Sequence, residues 1–281
     1  MILVSGATGN VGRAVVKALH GVDKPVIALV RDPKKAASQL PKEVPLRIGD
    51  YTDPSTLTAA FHGVERFVFI PSDGDACDVL QHHANLIAAA RAAGVAFTIF
   101  ISIVDLEDTS PFYFTPVYRD AEKRLDHASL PHALIRCNLY AEFVRDHFLS
   151  AAKASSHLDA PFGDGAIAPV SRVDVAAVCA ALVLRPELQG AHVSLSGPES
   201  LRGDEIAAIA SEAWGRTIEY KPMPHPDYLH KLLQEQPAPW PHAFSSMAVS
   251  ISQGRYADLQ KGVAEILGRA PMSLADVLAT R

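Results

Sequence analysis

The stretch that decides the fold is MILVSGATGNVGRAVVKAL, residues 1–19. A short apolar run, Met1 to Ser5, leads directly into Gly6, Gly9 and Gly12 at three-residue spacing, and an amphipathic helical pattern follows. Glycine allows the positive φ of a tight turn and lets backbone approach a pyrophosphate. The helix behind the turn then aims unpaired N–H groups and the positive end of its dipole at the phosphates. A glycine trio alone is weak, but between a strand and a helix it reads as a dinucleotide-binding loop.

Working outward, apolar runs recur as PVIALV, PLRIG, RFVFIP, FTIFIS and HALIR, each too short for a helix and rich in Val, Ile and Phe. Asp32-Pro33 and Asp53-Pro54 place a capping acceptor before a proline at the first helical position. Strands separated by helices of this length imply βαβ crossovers and a parallel sheet covered on both faces. The fold class expected is α/β, a doubly wound Rossmann sheet with a smaller C-terminal α/β lobe. Residues 1–150 form the dinucleotide domain, and residues 151–281 form a pocket lobe interleaved with it. The stretch SSHLDAPFGDGAIAPVS reads as turn-rich, and Ser171 with Asp174 opens the next helix.

The second strand chooses the nucleotide. An acidic residue at its end would bond a ribose 2′-hydroxyl and repel a 2′-phosphate. Here Arg31 stands there, with Lys34 and Lys35 one turn on. A guanidinium pairs with phosphate through two parallel bonds and an ammonium adds point charge, so NADP(H) is preferred, with NAD(H) the alternative. Asp32 is read as a helix cap, and the two lysines read equally as solvated surface.

Bulk properties narrow the partners. Lys and Arg total 26 against 31 Asp and Glu in 281 residues, and the net charge of −5 argues against nucleic acid. Three scattered cysteines, Cys77, Cys137 and Cys179, form neither a disulfide framework nor a zinc pattern. No metal is expected, and no apolar run approaches the roughly 20 residues of a membrane span. With the first strand opening at about Met1 there is no room for a leader, so a cytoplasmic protein is expected.

With GATGNVG, VRDPKK, GDYTDPSTLTAAFHGV and AEKRLDHASLPHALIRCN in order, the chain resembles the NmrA-like group of atypical short-chain dehydrogenases. Within it, the bacterial type-2 NAD(P)H:quinone oxidoreductases are the nearest in appearance. The resemblance implies that Gly6, Thr8, Gly9, Asn10, Val11 and Gly12 surround the pyrophosphate and that Arg31, with Lys35 beside it, meets the 2′-phosphate. It implies Asp50 and Tyr51 near the adenine, Ile70, Pro71 and Ser72 along the cofactor, and Ser102 and Ile103 near the nicotinamide. Lys123 would touch the nicotinamide ribose; bottom-up it reads equally as an exposed helix lysine. Phe112, Asn138 and Tyr140 are the candidate substrate residues. Phe143 departs from the family, where many relatives carry asparagine.

Ketone-reducing short-chain dehydrogenases use tyrosine and lysine four positions apart on one helical face. Tyr118 and Lys123 are five apart, hence about 140° around a helix, so these two catalytic candidates do not form that pair. Reducing a simple ketone creates an alkoxide, about as basic as hydroxide from water of pKa about 15.7, and calls for a positioned acid. A quinone gives a phenolate-like anion whose acid lies near a pKa of about 10. The function expected is therefore an NADPH-dependent oxidoreductase acting on quinones or similarly activated acceptors, as a monomer or homodimer. Two alternatives stay open: an NAD(P)-binding redox sensor without turnover, and a reductase of a biosynthetic aromatic or polyketide intermediate. LEDTSPFYFTP is the candidate flap over the substrate, and His82 and His83 read as solvated or capping residues.

Overall fold

The computed structural model describes residues 1–20 and 24–280. The six apolar runs become strands: β1 (Ile2–Val4), β2 (Val26–Val30), β3 (Leu46–Ile48), β4 (Arg66–Phe69), β5 (Phe97–Ile103) and β6 (His132–Cys137). Between them run α1 (Asn10–Leu19), α2 (Pro33–Ala37), α3 (Pro54–Ala60), α4 (Ala76–Ala92) and α5 (Thr115–His127). The sheet order is β3-β2-β1-β4-β5-β6, completed by His192–Leu195. The pairings β1–β2, β1–β4, β2–β3 and β4–β5 are all parallel. Every residue of β1 and β2 is buried, as a sheet covered on both faces requires. The order reverses at β1, so a crevice opens beyond the carboxyl ends of β1 and β4.

Local chemistry sets the helix starts. Asp32 accepts from the backbone of Lys34 (2.9 Å) and Lys35 (3.1 Å), and Asp53 from that of Ser55 (3.0 Å), each ahead of a proline. Ser171 accepts from the Asp174 amide at 2.9 Å and donates to its carboxylate at 2.8 Å, opening the helix Arg172–Val183.

The chain divides into two compact units that alternate along the sequence. The first comprises Met1–Ser102, Val117–Arg136 and Val175–Val193; the second comprises Ile103–Pro116, Cys137–Asp174 and Ser194 onward. The first has a core around Leu3, Phe61, Phe67, Phe69, Leu86 and Phe100. The second has its own, around Phe148, Leu158, Phe162, Ile206, Met247 and Ile251.

The stretch read as turn-rich holds two short strands. His157–Ala160 pairs in parallel with Glu219–Pro222, and Ala166–Ile167 pairs antiparallel with Leu201–Arg202. Both are strands because of partners far along the chain, and local composition carries no sign of that. Among the described residues, no helix is long and apolar enough to cross a membrane.

Candidate functional site

Two positions of the glycine loop, Gly6 and Gly12, are built for glycine. Gly6 has φ +59°, and a Cβ on Gly12 would lie 2.0 Å from the Gly6 carbonyl oxygen and 2.7 Å from the Ala7 Cα. Such contact leaves no room for a side chain between loop and helix. Gly9 caps α1 without a side-chain acceptor, so no side chain competes with a ligand for the first-turn amides. Arg13 reaches back from α1 to the Thr8 carbonyl (3.3 Å) and Asn10 Oδ1 (2.7 Å), fixing two of the expected pyrophosphate residues. Val11 is buried at the base of the helix.

The ends of β3 and β4 converge on this loop. The Gly6 N–H donates to the Tyr51 hydroxyl at 2.7 Å, and burial raises the phenol's pKa. Tyr51 therefore braces the loop as well as standing beside Asp50. Ser5 Oγ accepts from the Ile70 amide at 3.0 Å, and Ile70 packs against Gly6 on the way to half-buried Pro71 and Ser72. His82 Nδ1 lies 3.0 Å from Ser72 Oγ, and its ring meets Tyr51 edge-on at 5.8 Å. His82 is thus half-buried against Ser72 and Tyr51, where the sequence suggested a solvated or capping residue. His83 is different again: it is fully buried, with its ring edge-on to Phe69 at 5.1 Å.

Arg31 and Lys35 are exposed. The Asp50 carboxylate accepts from the Thr52 amide (2.9 Å) and hydroxyl (2.7 Å), and these bonds, with Arg31 contributing, hold its pKa below the usual value. Asp32 spends one carboxylate oxygen, Oδ1, on the first-turn amides of its own helix, as the helix-cap reading expected.

At the carboxyl end of β5, Ser102 is 1% exposed and donates to Glu122 Oε1 at 2.7 Å. Arg136 grips the same carboxylate through Nε (3.1 Å) and Nη2 (2.6 Å). Sequence reading missed this trio. The signals were an arginine inside the apolar run HALIR and the glutamate preceding Lys123, but their pairing across 14 positions is tertiary. On α5, Tyr118 packs against the first unit's core, 6.3 Å from Phe100 between ring centres, while Lys123 is exposed. The helix gives the two different surroundings.

In the second unit, Asn138 is nearly buried and uses both ends of its amide. Nδ2 donates to the Tyr256 carbonyl at 3.0 Å, and Oδ1 accepts from the Leu139 amide at 2.8 Å. Tyr140 is half-buried under the Arg172 guanidinium, 5.3 Å from its ring centre. Phe143 stacks on His147 at 4.8 Å and tilts against Phe244 at 5.4 Å. Phe112 is half-buried and follows Ile103 in a segment that is firmly tied. Buried Asp105 accepts from Ser110 at 2.7 Å, Thr115 donates to the Asp105 carbonyl at 2.8 Å, and Arg255 pairs with Glu107 at 2.7 Å. These bonds tie down the segment expected as a flap. Among the described residues no cluster of His, Cys, Asp or Glu could hold a metal.

A doubly wound parallel sheet with a glycine cradle after β1 defines a Rossmann-type dinucleotide-binding protein. The chain belongs to the NmrA-like family, whose pattern it matches over residues 1–266. It is 29% identical to quinone oxidoreductase 2 of Escherichia coli K12 over 284 residues, covering 98% of this chain and 96% of that one. Among solved structures it superposes on Citrobacter sp. triphenylmethane reductase complexed with NADP(H), with a TM-score of 0.91, 26% identity and 99% of each chain covered. It also superposes on the E. coli NADPH-dependent quinone oxidoreductase complexed with NADPH, with a TM-score of 0.89, 28% identity and 99% of each chain covered.

Proposed function

We propose that this chain is an NADPH-dependent reductase of quinones or similarly activated conjugated acceptors. The relatives named above support an NADP(H)-linked reductase, and the glycine cradle and Arg31 fit that cofactor. When bound, NADPH supplies a hydride from C4 of its nicotinamide. The protein's own residues hold the nucleotide. The cradle and the first-turn amides of α1 take the pyrophosphate, Arg31 takes the 2′-phosphate, and Asp50, Tyr51 and Ser72 flank the adenosine. Lys123 is assigned to the nicotinamide ribose. Within the second unit, half-buried Phe112 and Tyr140 offer aromatic surface of the kind a planar acceptor stacks on.

The observation that carries the acceptor class is the Ser102–Glu122 hydrogen bond. It commits the hydroxyl at the end of β5 to a carboxylate, and Tyr118 and Lys123 do not form the tyrosine–lysine pair. A simple ketone, whose product alkoxide demands an acid, is therefore disfavoured. A quinone, whose product anion is stable near a pKa of about 10, takes its proton from water. Catalysis then rests on positioning more than on proton transfer.

The test is loss of NADPH absorbance against a panel of benzoquinones and naphthoquinones, with an aliphatic ketone as control. Oxidation with quinones and none with the ketone is expected. Tight NADPH binding without oxidation by any acceptor would replace this reading with that of a nucleotide sensor.

A further inference from the structure

Arg172, at the start of the helix Arg172–Val183, carries a charge that the fold leaves without a hydrogen-bond partner. Val170 bonds the backbone on either side of Tyr140, its N–H donating to the Leu139 carbonyl and its carbonyl accepting from the Ala141 amide, both at 2.9 Å. Two residues on, Arg172 therefore comes to lie over the Tyr140 ring, its guanidinium carbon 5.3 Å from the ring centre. A guanidinium has five N–H donors and no acceptor. Among the described residues, none of the five meets an acceptor within hydrogen-bond distance. The side chain is 15% exposed; Nε is sealed from solvent, and the two Nη groups are not. Two carboxylates stand close to this residue, and both are engaged elsewhere. Asp146 comes within 4.0 Å of the guanidinium, but its oxygens accept from Arg145 Nε (2.6 Å) and Nη2 (3.1 Å). Glu142 turns both of its oxygens to the backbone N–H of Arg172, 3.0 Å each, and so holds the amide rather than the side chain.

Holding a cation mostly out of water without an acceptor is unfavourable, and the face of one tyrosine offsets only part of that cost. An anion that brings its own oxygens to the Nη groups offsets the rest. We propose that Arg172 and Tyr140 form a subsite for aromatic acids: a carboxylate or sulfonate takes the two Nη groups through paired charged hydrogen bonds, and the ring that carries it lies against half-buried Tyr140. Both residues belong to the second unit, so the subsite is complete within it. For the reductase proposed above, it makes quinones with an acidic substituent the preferred acceptors. That use rests on the reductase reading. Its test reads the binding of an unreactive acid, so absence of acceptor turnover would leave the subsite standing.

The experiment is calorimetric titration at pH 7 with 2-naphthoate and with 2-naphthamide, which share ring and shape and differ in charge. The wild-type chain is expected to bind the acid about ten- to a hundredfold more tightly, the worth of a hydrogen bond to a charged group. In Arg172→Gln that preference should fall to near unity through loss of naphthoate affinity, with the amide bound as before; the unchanged amide shows that the variant is folded. Arg172→Lys gives a second reading. It keeps the charge and loses the planar fork, so it should retain part of the preference. No preference for the acid in the wild-type chain, or a preference that survives intact in Arg172→Gln, would overturn the proposal.

Discussion

His83 offers a measurement whose size follows from its surroundings. The ring is fully buried beside Phe69 and Phe100, and among the described residues neither nitrogen has a hydrogen-bond partner. Burial, with smaller contributions from the charges of His82 and Arg124, pushes its pKa from 6.5 down to about 3. The native state therefore holds this imidazole neutral, while the unfolded chain protonates it below 6.5. Stability from this residue is complete above 6.5 and is lost as pH falls from 6.5 toward 3. At pH 5 the unfolded chain has gained about 1.5 pH units' worth of proton binding that the native ring has not. At about 1.36 kcal/mol per unit, this residue alone costs about 2 kcal/mol between pH 7 and pH 5. His83→Leu keeps the volume and removes the titration. Urea unfolding of both proteins at pH 7 and pH 5 should show the wild type losing about 2 kcal/mol more than the variant, because the carboxylates titrate alike in both. Equal losses in the two proteins would refute the reasoning.

Other outcomes follow from the site. Gly12→Ala puts a methyl 2.0 Å from the Gly6 carbonyl oxygen, and NADPH titration should show at least about a tenfold loss, roughly 1.4 kcal/mol. Arg31→Ala should weaken NADPH by about 1.5–3 kcal/mol, the worth of a charged hydrogen bond, and NADH far less; equal losses would remove the 2′-phosphate assignment. Lys123→Ala should lower turnover or cofactor affinity in steady-state kinetics, and unchanged kinetics would return that exposed lysine to the surface. Asp174 is fully buried, pairs with Arg269 at 2.7 Å and accepts from Ser171 and the Met272 amide. Asp174→Ala should cost roughly 3 kcal/mol in urea unfolding, since each group left unpartnered costs about 1–3 kcal/mol.

The centre of the sheet was legible because its strands announce themselves locally: β1, β2, β4 and β5 are largely apolar runs buried almost throughout. The helix starts were legible for the same reason, since Asp32, Asp53 and Ser171 bond amides only two or three residues away. The glycine loop was legible because a positive φ at Gly6 and close backbone approach at Gly12 both call for glycine. What stayed hidden depends on distant partners. His157–Ala160 needs Glu219–Pro222, Glu122 needs Arg136, and the 103–116 segment is held by Arg255 from far along the chain. His83 was within reach of the sequence: Val79, Leu86, Ile87 and Ala90 lie at helical spacing from it on one face of α4, and reading it as solvated or capping passed over that periodicity. Asn138 was chosen for its position in a motif, and the structure shows its amide already engaged at both ends.

The alternation of the two units has a consequence for how such a protein changes over generations. The chain passes from one unit to the other at 102/103, 116/117, 136/137, 174/175 and 193/194. No single cut in the gene separates a complete nucleotide-binding half from the rest: residues 1–150 alone would lack the helix Arg172–Val183 and the seventh strand, His192–Leu195. A single crossover at any of these junctions therefore splits at least one unit, whereas units strung end to end can be exchanged whole. Point changes and short insertions, by contrast, leave both units whole within one continuous reading frame.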